Sequence, residues 1–318
     1  MIFTEEQLRS YAKPLSETEE NQCKNAIRMV SNALKDLGLK ENEMDTLYGA
    51  STAYEIRMTG GSTGYDIKLF LQGSYANNTN VRGHSDIDIA VVQEDTFIPK
   101  YRMGISDKDY RFTNATPRVK SFKDEVEDVL RKYFDKDIER KNKSIKINGN
   151  SYRKDTDSVP SMRHRDYSQD YTLQEDNYIG GILIKADDGQ RIINYPEQHI
   201  KNGVIKNNST NYYFKKMVRV AKELRYQMQD YGYPYAKKAS SFGVECLLWN
   251  IPDLYYTKFS TYCYVFDDVV KYLYDNRYDL LNFMEVNNIK KLCDDSLDRR
   301  DIYKGFIEEL KGFYKYEI

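Results

Sequence analysis

The sequence predicts an α+β protein, in which a mixed β-sheet with flanking helices is followed by a helical lobe at the C-terminal end. Up to residue 195, short runs rich in aromatic and branched apolar residues alternate with turn-forming residues and with two amphipathic helical patterns. From residue 211 onward, apolar residues recur at helical spacing. We therefore expect a domain boundary between these points, with the sheet and a long N-terminal helix in residues 1–205 and a helical domain in residues 206–318.

Bulk composition excludes several classes of protein. The 48 basic and 49 acidic residues give a net charge of -1 and are spread through the chain, so stable binding of duplex nucleic acid is not expected. Four cysteines lie far apart and only three histidines are present, which argues against a zinc site and a disulfide framework. No apolar run reaches about 18 residues and the N-terminus lacks a signal-peptide pattern, which predicts a cytoplasmic protein without a membrane segment.

The first element is a long amphipathic helix. Ser16 and Glu19 have the spacing of a capping box, and apolar residues then recur at helical spacing up to Gly38. Residues 40–64 are mixed and rich in turn formers, so no more than a short helix or strand is expected there.

A strand, a turn and a second strand follow. Residues 65–71 have the composition of a strand, and Gly73-Ser74 breaks it into a turn whose backbone N–H groups are free to meet a phosphate. Residues 75–85 form a loop, in which Arg82 and Ser85 could reach a phosphate.

Asp86 and Asp88 begin the second strand. Because side chains alternate along a strand, both carboxylates leave one face while Ile87 and Ile89 point into the core. Such a pair, taken alone, is most often ordinary charge on an edge strand. Two carboxylates on one face repel each other unless a cation lies between them, and Mg²⁺ prefers such oxygen ligands. The preceding Gly-Ser turn favours the cation-binding interpretation.

Further elements follow in order. Residues 118–134 show apolar positions, Val119 among them, at the spacing of a second amphipathic helix, and residues 135–143 are a charged connection. Residues 144–149 and 152–159 are expected to form a hairpin that turns at Asn148-Gly149. Arg163, His164 and Arg165 come just after this hairpin and could steady phosphates, although a single histidine among arginines is more often a solvated loop residue.

The predicted hairpin carries a further pair of acidic residues. Asp155 and Asp157 have the same parity in the strand and therefore share a face, so alternation cannot choose between them as a third carboxylate.

A further hairpin is predicted over residues 179–185 and 190–195, and the remaining pattern predicts helices over residues 212–228, 240–249, 262–274 and 301–313.

These residues resemble a known family. Gly73-Ser74, followed by Asp86 and Asp88, is similar to the signature of polymerase-beta-like nucleotidyltransferases. A longer string narrows the resemblance to the bacterial CD-NTases, which are similar in fold to cyclic GMP-AMP synthase and oligoadenylate synthase. The string comprises Ser85, Asp157-Ser158-Val159-Pro160, Asn194-Tyr195-Pro196, His199, Asn202-Gly203, Lys206-Asn207, Thr210, Phe214-Lys215, Val218-Arg219, Lys222 and residues 240–248.

The resemblance implies a site. Asp157 would be the third carboxylate, joining Asp86 and Asp88 in binding two Mg²⁺ or Mn²⁺ ions, and would help to deprotonate the acceptor hydroxyl. The resemblance also implies nucleotide binding by a second set of residues, of which Phe242 would face the base and the others the triphosphate: Gly73, Ser74, Lys222, Ser240, Ser241 and Phe242.

The resemblance further implies the activity. It predicts an enzyme that joins nucleoside triphosphates into a cyclic di- or trinucleotide second messenger, which a downstream effector protein senses in anti-phage (CBASS) signalling. The alternative is the transfer of one nucleotide to a protein, RNA or small-molecule acceptor. A catalytically inactive scaffold is disfavoured because Asp86, Asp88 and Asp157 are all present.

Overall fold

The computed structural model describes residues 1–60, 64–83, 86–293 and 297–317. Ser85, one of the residues expected to reach a phosphate, lies outside the described residues. None of the helices in these ranges is both long and apolar enough to cross a membrane.

Strands and helices alternate up to residue 194 and helices dominate afterwards. The strands are β1 (Ile2–Phe3), β2 (Lys40–Glu41), β3 (Asp45–Thr46), β4 (Tyr54–Thr59), β5 (Asp66–Gln72), β6 (Ile87–Tyr101), β7 (Ile138–Arg140), β8 (Ile145–Ile147), β9 (Thr156–Tyr167), β10 (Ile179–Lys185), β11 (Arg191–Asn194) and β12 (Lys315–Tyr316). The α-helices are α1 (Glu5–Tyr11), α2 (Glu17–Leu34), α3 (Gly73–Ala76), α4 (Phe122–Phe134), α5 (Pro196–Ser209), α6 (Tyr213–Asp230), α7 (Pro234–Lys238), α8 (Ser241–Trp249), α9 (Leu254–Thr257), α10 (Tyr262–Asp275) and α11 (Leu297–Phe313).

Ten of these strands form one mixed sheet, as the sequence predicts. Its main order is β11-β10-β9-β6-β5-β4-β2, with β3 on β4 and with β8 pairing both β7 and the first residues of β9. β6 and β9 run parallel, whereas their other neighbours in the sheet pair antiparallel. The parallel pair places the first residues of β6 and β9 side by side at one end of the sheet.

Helices α2 and α4 pack with the sheet in one apolar core. The predicted capping box of α2 is confirmed, since Ser16 Oγ accepts from the Glu19 N–H and the Glu19 carboxylate accepts from the Ser16 N–H. The predicted start of α4 is wrong. The side chain of Ser121 caps the helix by accepting from the Asp124 N–H, so α4 begins at Phe122 and leaves Val119 fully exposed before it.

A second apolar core lies within the helical lobe, where α6, α8, α10 and α11 contribute buried residues. The first residues of the chain belong to this core, because β1 pairs with β12 and the side chains of Phe3 and Leu8 are fully buried there. The predicted boundary after residue 205 falls inside helix α5, and the division into 1–205 and 206–318 stays a prediction.

Three local expectations are wrong. Residues 40–64 contain the six-residue strand β4 in addition to two short strands, and the charged connection contains β7. The hairpin between β8 and β9 does not turn at Asn148-Gly149, because the Asn148 N–H donates to the carbonyl of Asp137 and the connection continues to residue 155.

The segment from Arg163 to Arg165 is also not a loop. It lies within β9, where the Arg163 guanidinium is buried against the carboxylates of Glu94 and Glu197. Helix α5 is a further element that the sequence patterns did not indicate. This helix packs against both the sheet and α6, so its buried residues do not lie on a single face and its amphipathic pattern is weak.

Candidate active site

A cavity of about 480 Å³ lies between the end of the sheet and the helical lobe. It brings together most of the residues that the sequence singled out, although Asp157 and Ser240 are not among its lining residues. The lining residues are Gln72, Gly73, Ser74, Asp86, Asp88, Asn194, Tyr195, Pro196, His199, Lys222, Tyr226, Ser241, Phe242, Glu245, Glu285 and Asn287.

The Gly-Ser turn lies directly against the carboxylate of Asp88. Gly73 follows the last residue of β5 and has a φ of +67°, a conformation that favours glycine. A Cβ atom at Gly73 would collide with Asp88 Oδ2, so a side chain at this position would have to displace that carboxylate. The backbone of the turn therefore approaches the carboxylate closely, and Ser74 follows at the cavity wall.

The pairing of β6 with β9 places two carboxylates side by side. Asp88 lies opposite Asp157 in the parallel register, so the two side chains leave the same face of the sheet. Ile87 and Ile89 are fully buried on the other face, as predicted. Ser144 Oγ donates a hydrogen bond of 3.1 Å to Asp157, which orients this carboxylate.

Asp155 has a different environment. It precedes β9, and its carboxylate accepts from the Gly149 N–H at 2.6 Å and pairs with the Lys146 ammonium at 2.8 Å. These partners hold the pKa of Asp155 below its ordinary value, with the Lys146 hydrogen bond as the largest cause. Its charge is therefore already compensated by Lys146, whereas no cation in the described ranges pairs with Asp88.

The carboxylates of the site are electrostatically strained in the absence of a cation. Burial raises the pKa of Asp88 to about 7, and the nearby charges of Asp157 and Asp86 add to the effect. Burial also raises the pKa of Asp157, although the hydrogen bond from Ser144 opposes the shift. Such a set of crowded, hard oxygen donors is chemically suited to divalent cations.

Lys146 is a site residue that the sequence analysis missed. It lies opposite Asp157 in the β8–β9 pairing, and its ammonium is 3.5 Å from Asp86 Oδ2 in addition to its contact with Asp155. The Asp86 side chain is 46% exposed and is drawn toward this lysine. Within the described ranges, no group of three or more His, Cys, Asp or Glu side chains is arranged to hold a metal ion. Only the register of the hairpin could have revealed Lys146, since a lysine in a short strand carries no motif.

A buried polar network forms another part of the cavity lining. The Lys222 side chain is 2% exposed, and its ammonium donates to Glu245 Oε2 at 2.6 Å and to Thr79. The other carboxylate oxygen of Glu245 lies 2.8 Å from His199 Nε2. Although Glu245 is buried, Lys222 and His199 hold its pKa well below the ordinary value. Lys222 thus reaches the cavity with its charge already paired.

The first turn of α8 also borders the cavity. Ser240 caps the helix, since its Oγ accepts from the Gly243 N–H at 2.9 Å, while Ser241 and Phe242 line the cavity. The Phe242 side chain is 42% exposed, and the centre of its ring is 5.6 Å from that of His199. An exposed ring at the edge of this cavity offers a surface on which a planar base could stack.

Glu285 and Asn287 line the cavity from the segment between α10 and α11. The sequence analysis did not identify them, because an acidic residue and an asparagine in a polar stretch carry no recognisable spacing. Asn194, Tyr195 and Pro196, which contributed to the family resemblance, line the same cavity.

Comparisons with known proteins show which family the chain resembles. The model of the cGAS/DncV-like nucleotidyltransferase C-terminal helical domain matches residues 201–315, and the model of the nucleotidyltransferase domain matches residues 60–148. The cyclic GMP-AMP synthase CdnE03 of Staphylococcus schleiferi is 49% identical to this chain, with 99% of this chain and 98% of that protein covered.

Two further relatives extend the similarity. The cyclic dipyrimidine nucleotide synthase CdnE of Cecembia lonarensis is 35% identical and covers 91% of this chain and 90% of its own length. The solved structure of the Elizabethkingia meningoseptica CdnE cyclic dinucleotide synthase with GTP and Apcpp has a TM-score of 0.73 and 31% identity, with 98% of each chain covered. The chain is therefore a nucleotidyltransferase and belongs to the cGAS/DncV-like family of bacterial CD-NTases.

Proposed function

We propose that this chain joins nucleoside triphosphates into a cyclic oligonucleotide, with Asp86, Asp88 and Asp157 as its catalytic carboxylates. The observation that carries this proposal is the placement of Asp88 beside Asp157 and against the Gly73-Ser74 turn, in a cavity between two lobes. The relatives, which cover nearly the whole chain, support cyclisation over transfer to a separate acceptor.

The three carboxylates would hold two divalent cations, Mg²⁺ or Mn²⁺. When bound, such cations lower the pKa of an attacking ribose hydroxyl and neutralise the departing pyrophosphate. Asp157 is oriented by Ser144 and would accept the proton of the hydroxyl group, while Asp86 and Asp88 would hold the cations against which the reacting phosphate lies. The crowding of these carboxylates supports the assignment, because three ionised carboxylates so close together repel one another unless cations lie between them.

The donor triphosphate would lie along the Gly73-Ser74 turn and the start of α8. Ser241 faces the cavity there, whereas Ser240 supports the same turn as its N-cap. Lys222 would share its ammonium between Glu245 and the triphosphate, which explains why its charge is held in place before the nucleotide arrives. Phe242 would stack on the nucleobase.

The product would serve as a second messenger. We infer a cytoplasmic role in anti-phage (CBASS) signalling, in which a downstream effector protein senses the cyclic molecule. The support is the family to which the chain belongs.

The test uses the purified full-length chain with all four α-labelled triphosphates and Mg²⁺ or Mn²⁺, and with no added acceptor. A cyclic product lacks terminal phosphates, so we expect phosphatase to leave both its label and its chromatographic mobility unchanged, whereas a linear chain would lose the label of its terminal phosphate. The variant Asp88→Asn should form about a thousandfold less product, because the substitution removes charge that stabilises the transition state. A product that loses label or changes mobility on phosphatase treatment, or one that appears only after a macromolecule is added, would overturn the proposal.

A further inference from the structure

The relatives named above make products with different bases, so the base preference of this chain has to follow from its own cavity. The segment that we call the Glu285 loop (residues 284–291) supplies two polar side chains to that cavity, those of Glu285 and Asn287. Both residues are buried, with exposed fractions of 8% and 5%. A buried carboxylate at a nucleotide site requires a hydrogen-bonding partner, which makes it a candidate for reading a base.

The Glu285 loop is held in place by three neighbouring elements. Asn250, just after α8, exchanges two hydrogen bonds of 2.8 Å with the backbone of Met284. Asn202 of α5 donates to the carbonyl of Val286 at 2.8 Å, and the Lys290 ammonium donates to the carbonyl of Ile193 at 3.2 Å. A polar group on a backbone anchored in this way is positioned before a ligand arrives, which favours selectivity.

Asn287 fixes the orientation of the Glu285 carboxylate. Asn287 Oδ1 accepts from the N–H groups of Ile289 and Lys290, at 2.8 and 3.0 Å, so its amide nitrogen must face Glu285. That nitrogen donates to Glu285 Oε2 at 2.6 Å. The nearest cation in the described ranges, the Lys290 ammonium, is 4.0 Å from Oε1 and beyond hydrogen-bonding distance. The Glu285 carboxylate can therefore accept further hydrogen bonds from a ligand in the cavity.

A carboxylate accepts hydrogen bonds and donates none. Among the four bases, guanine alone offers two adjacent donors on its Watson–Crick edge, N1–H and the 2-amino group. Adenine and cytosine place a ring acceptor next to their amino donor, and uracil places carbonyl acceptors on both sides of a single N–H. Each of these would direct a lone pair at the carboxylate, and a site built for donors rejects ligands that lack them.

We propose that Glu285 is a specificity-determining residue, which selects guanine for at least one nucleotide that the enzyme joins. The assignment rests on the proposed function in that it takes the cavity to be the nucleotide site. Asn287 is a positioning residue, because it acts through the carboxylate that it orients.

Equilibrium binding tests the assignment independently of catalysis. The ligands are non-hydrolysable analogues of guanosine, inosine and adenosine triphosphate, of which the inosine compound lacks only the 2-amino group of guanine. We expect the unmodified chain to bind the guanosine analogue roughly ten- to a hundredfold more tightly than the inosine analogue, since a bidentate contact gives that order of discrimination.

The variant Glu285→Gln turns a donor toward the donors of guanine while it keeps an acceptor for Asn287. Its preference for guanosine over inosine should fall below about threefold, and adenosine binding should improve. Glu285→Asp should retain part of the guanosine preference. Glu308→Gln is the matched control, because Glu308 lies outside the cavity and pairs with Arg277. Circular dichroism establishes that each variant is folded.

The outcomes separate the two proposals. Equal binding of guanosine and inosine analogues by the unmodified chain would overturn the role of Glu285, as would a Glu285→Gln variant that weakens all three ligands equally. A guanosine preference that depends on Glu285, in a chain that forms no cyclic product, would support this role and contradict the proposed function alone.

Discussion

Replacing Asp88 with asparagine should stabilise the protein when no metal is present. Most substitutions at a partly buried polar position destabilise a fold. Here the carboxylate lies beside Asp157, close to Asp86 and against the Gly73 backbone, and burial with these charges raises its pKa to about 7. An amide of nearly the same shape removes the charge and keeps the packing.

The size of the effect follows from linkage. The folded state binds the proton of Asp88 more tightly than the unfolded chain does, so this group lowers stability as the pH rises from about 4, near the ordinary pKa, to about 7. The loss of folding stability is complete once the pH exceeds the pKa of Asp88 in the folded state. A shift of about three pKa units corresponds to about 4 kcal/mol, so Asp88→Asn should be more stable than the unmodified chain by up to that amount at pH 8.

Urea unfolding at pH 8 with EDTA measures the difference, with the fluorescence of Trp249, the single tryptophan, as the signal. The control is Asp155→Asn, for which the predicted change in stability has the opposite sign. The pKa of Asp155 is lowered by Lys146, so this variant should lose stability, by less than about 1 kcal/mol because the pair is partly exposed. Adding Mg²⁺ with a non-hydrolysable triphosphate should stabilise the unmodified chain and have little effect on Asp88→Asn. A metal-free Asp88→Asn protein that is less stable than the unmodified chain would refute the reasoning.

Three further predictions concern catalysis and packing. Asp157→Asn should abolish product formation in a steady-state assay while Asp155→Asn stays within a fewfold of normal, and the reverse order would move the third carboxylate by two residues. Phe242→Ala should raise the KM for the donor more than it lowers kcat, since stacking acts in the ground and transition states alike, and a defect in kcat alone would argue against stacking. Glu245→Gln should lower the free energy of unfolding by roughly 3 kcal/mol, because Lys222 would stay buried without a counter-charge, and an unchanged urea midpoint would contradict the importance of this pair.

Features defined by local chemistry were predictable from the sequence. The capping box of α2 needs only Ser16 and Glu19 in the correct spacing, and the alternation of Asp88 with the buried Ile87 and Ile89 needs only the period of a strand, although β6 begins at Ile87 and Asp86 precedes it. The turn at Gly73 likewise follows from a glycine at the end of an apolar strand. The mixed sheet and the helical lobe follow from the same periodicities.

Features that depend on register were not predictable. The alternation in the second hairpin could not choose between Asp155 and Asp157, whereas the parallel pairing of β6 with β9 sets Asp157 opposite Asp88. The same cross-strand geometry brings Lys146 to Asp86, although these residues are far apart in the sequence. Val119 shows the converse error, since it fits the helical spacing but precedes the Ser121 cap.

The contribution of Glu285 and Asn287 to the cavity depends on tertiary contacts. Their loop has no helical or strand period, and its position follows from single side chains on α5, from Asn250 after α8 and from a lysine contact with β11. No local pattern encodes such anchoring.

The phosphate content of the product tests the central claim most directly. After incubation of the unmodified chain with triphosphates and Mg²⁺, followed by phosphatase, mass spectrometry gives the ratio of phosphate to nucleoside in the purified product. Cyclisation releases one pyrophosphate for every nucleotide joined, so we predict one phosphate per nucleoside and no product from Asp157→Asn. A product with one phosphate fewer than its nucleosides would be linear and would contradict cyclisation by this chain.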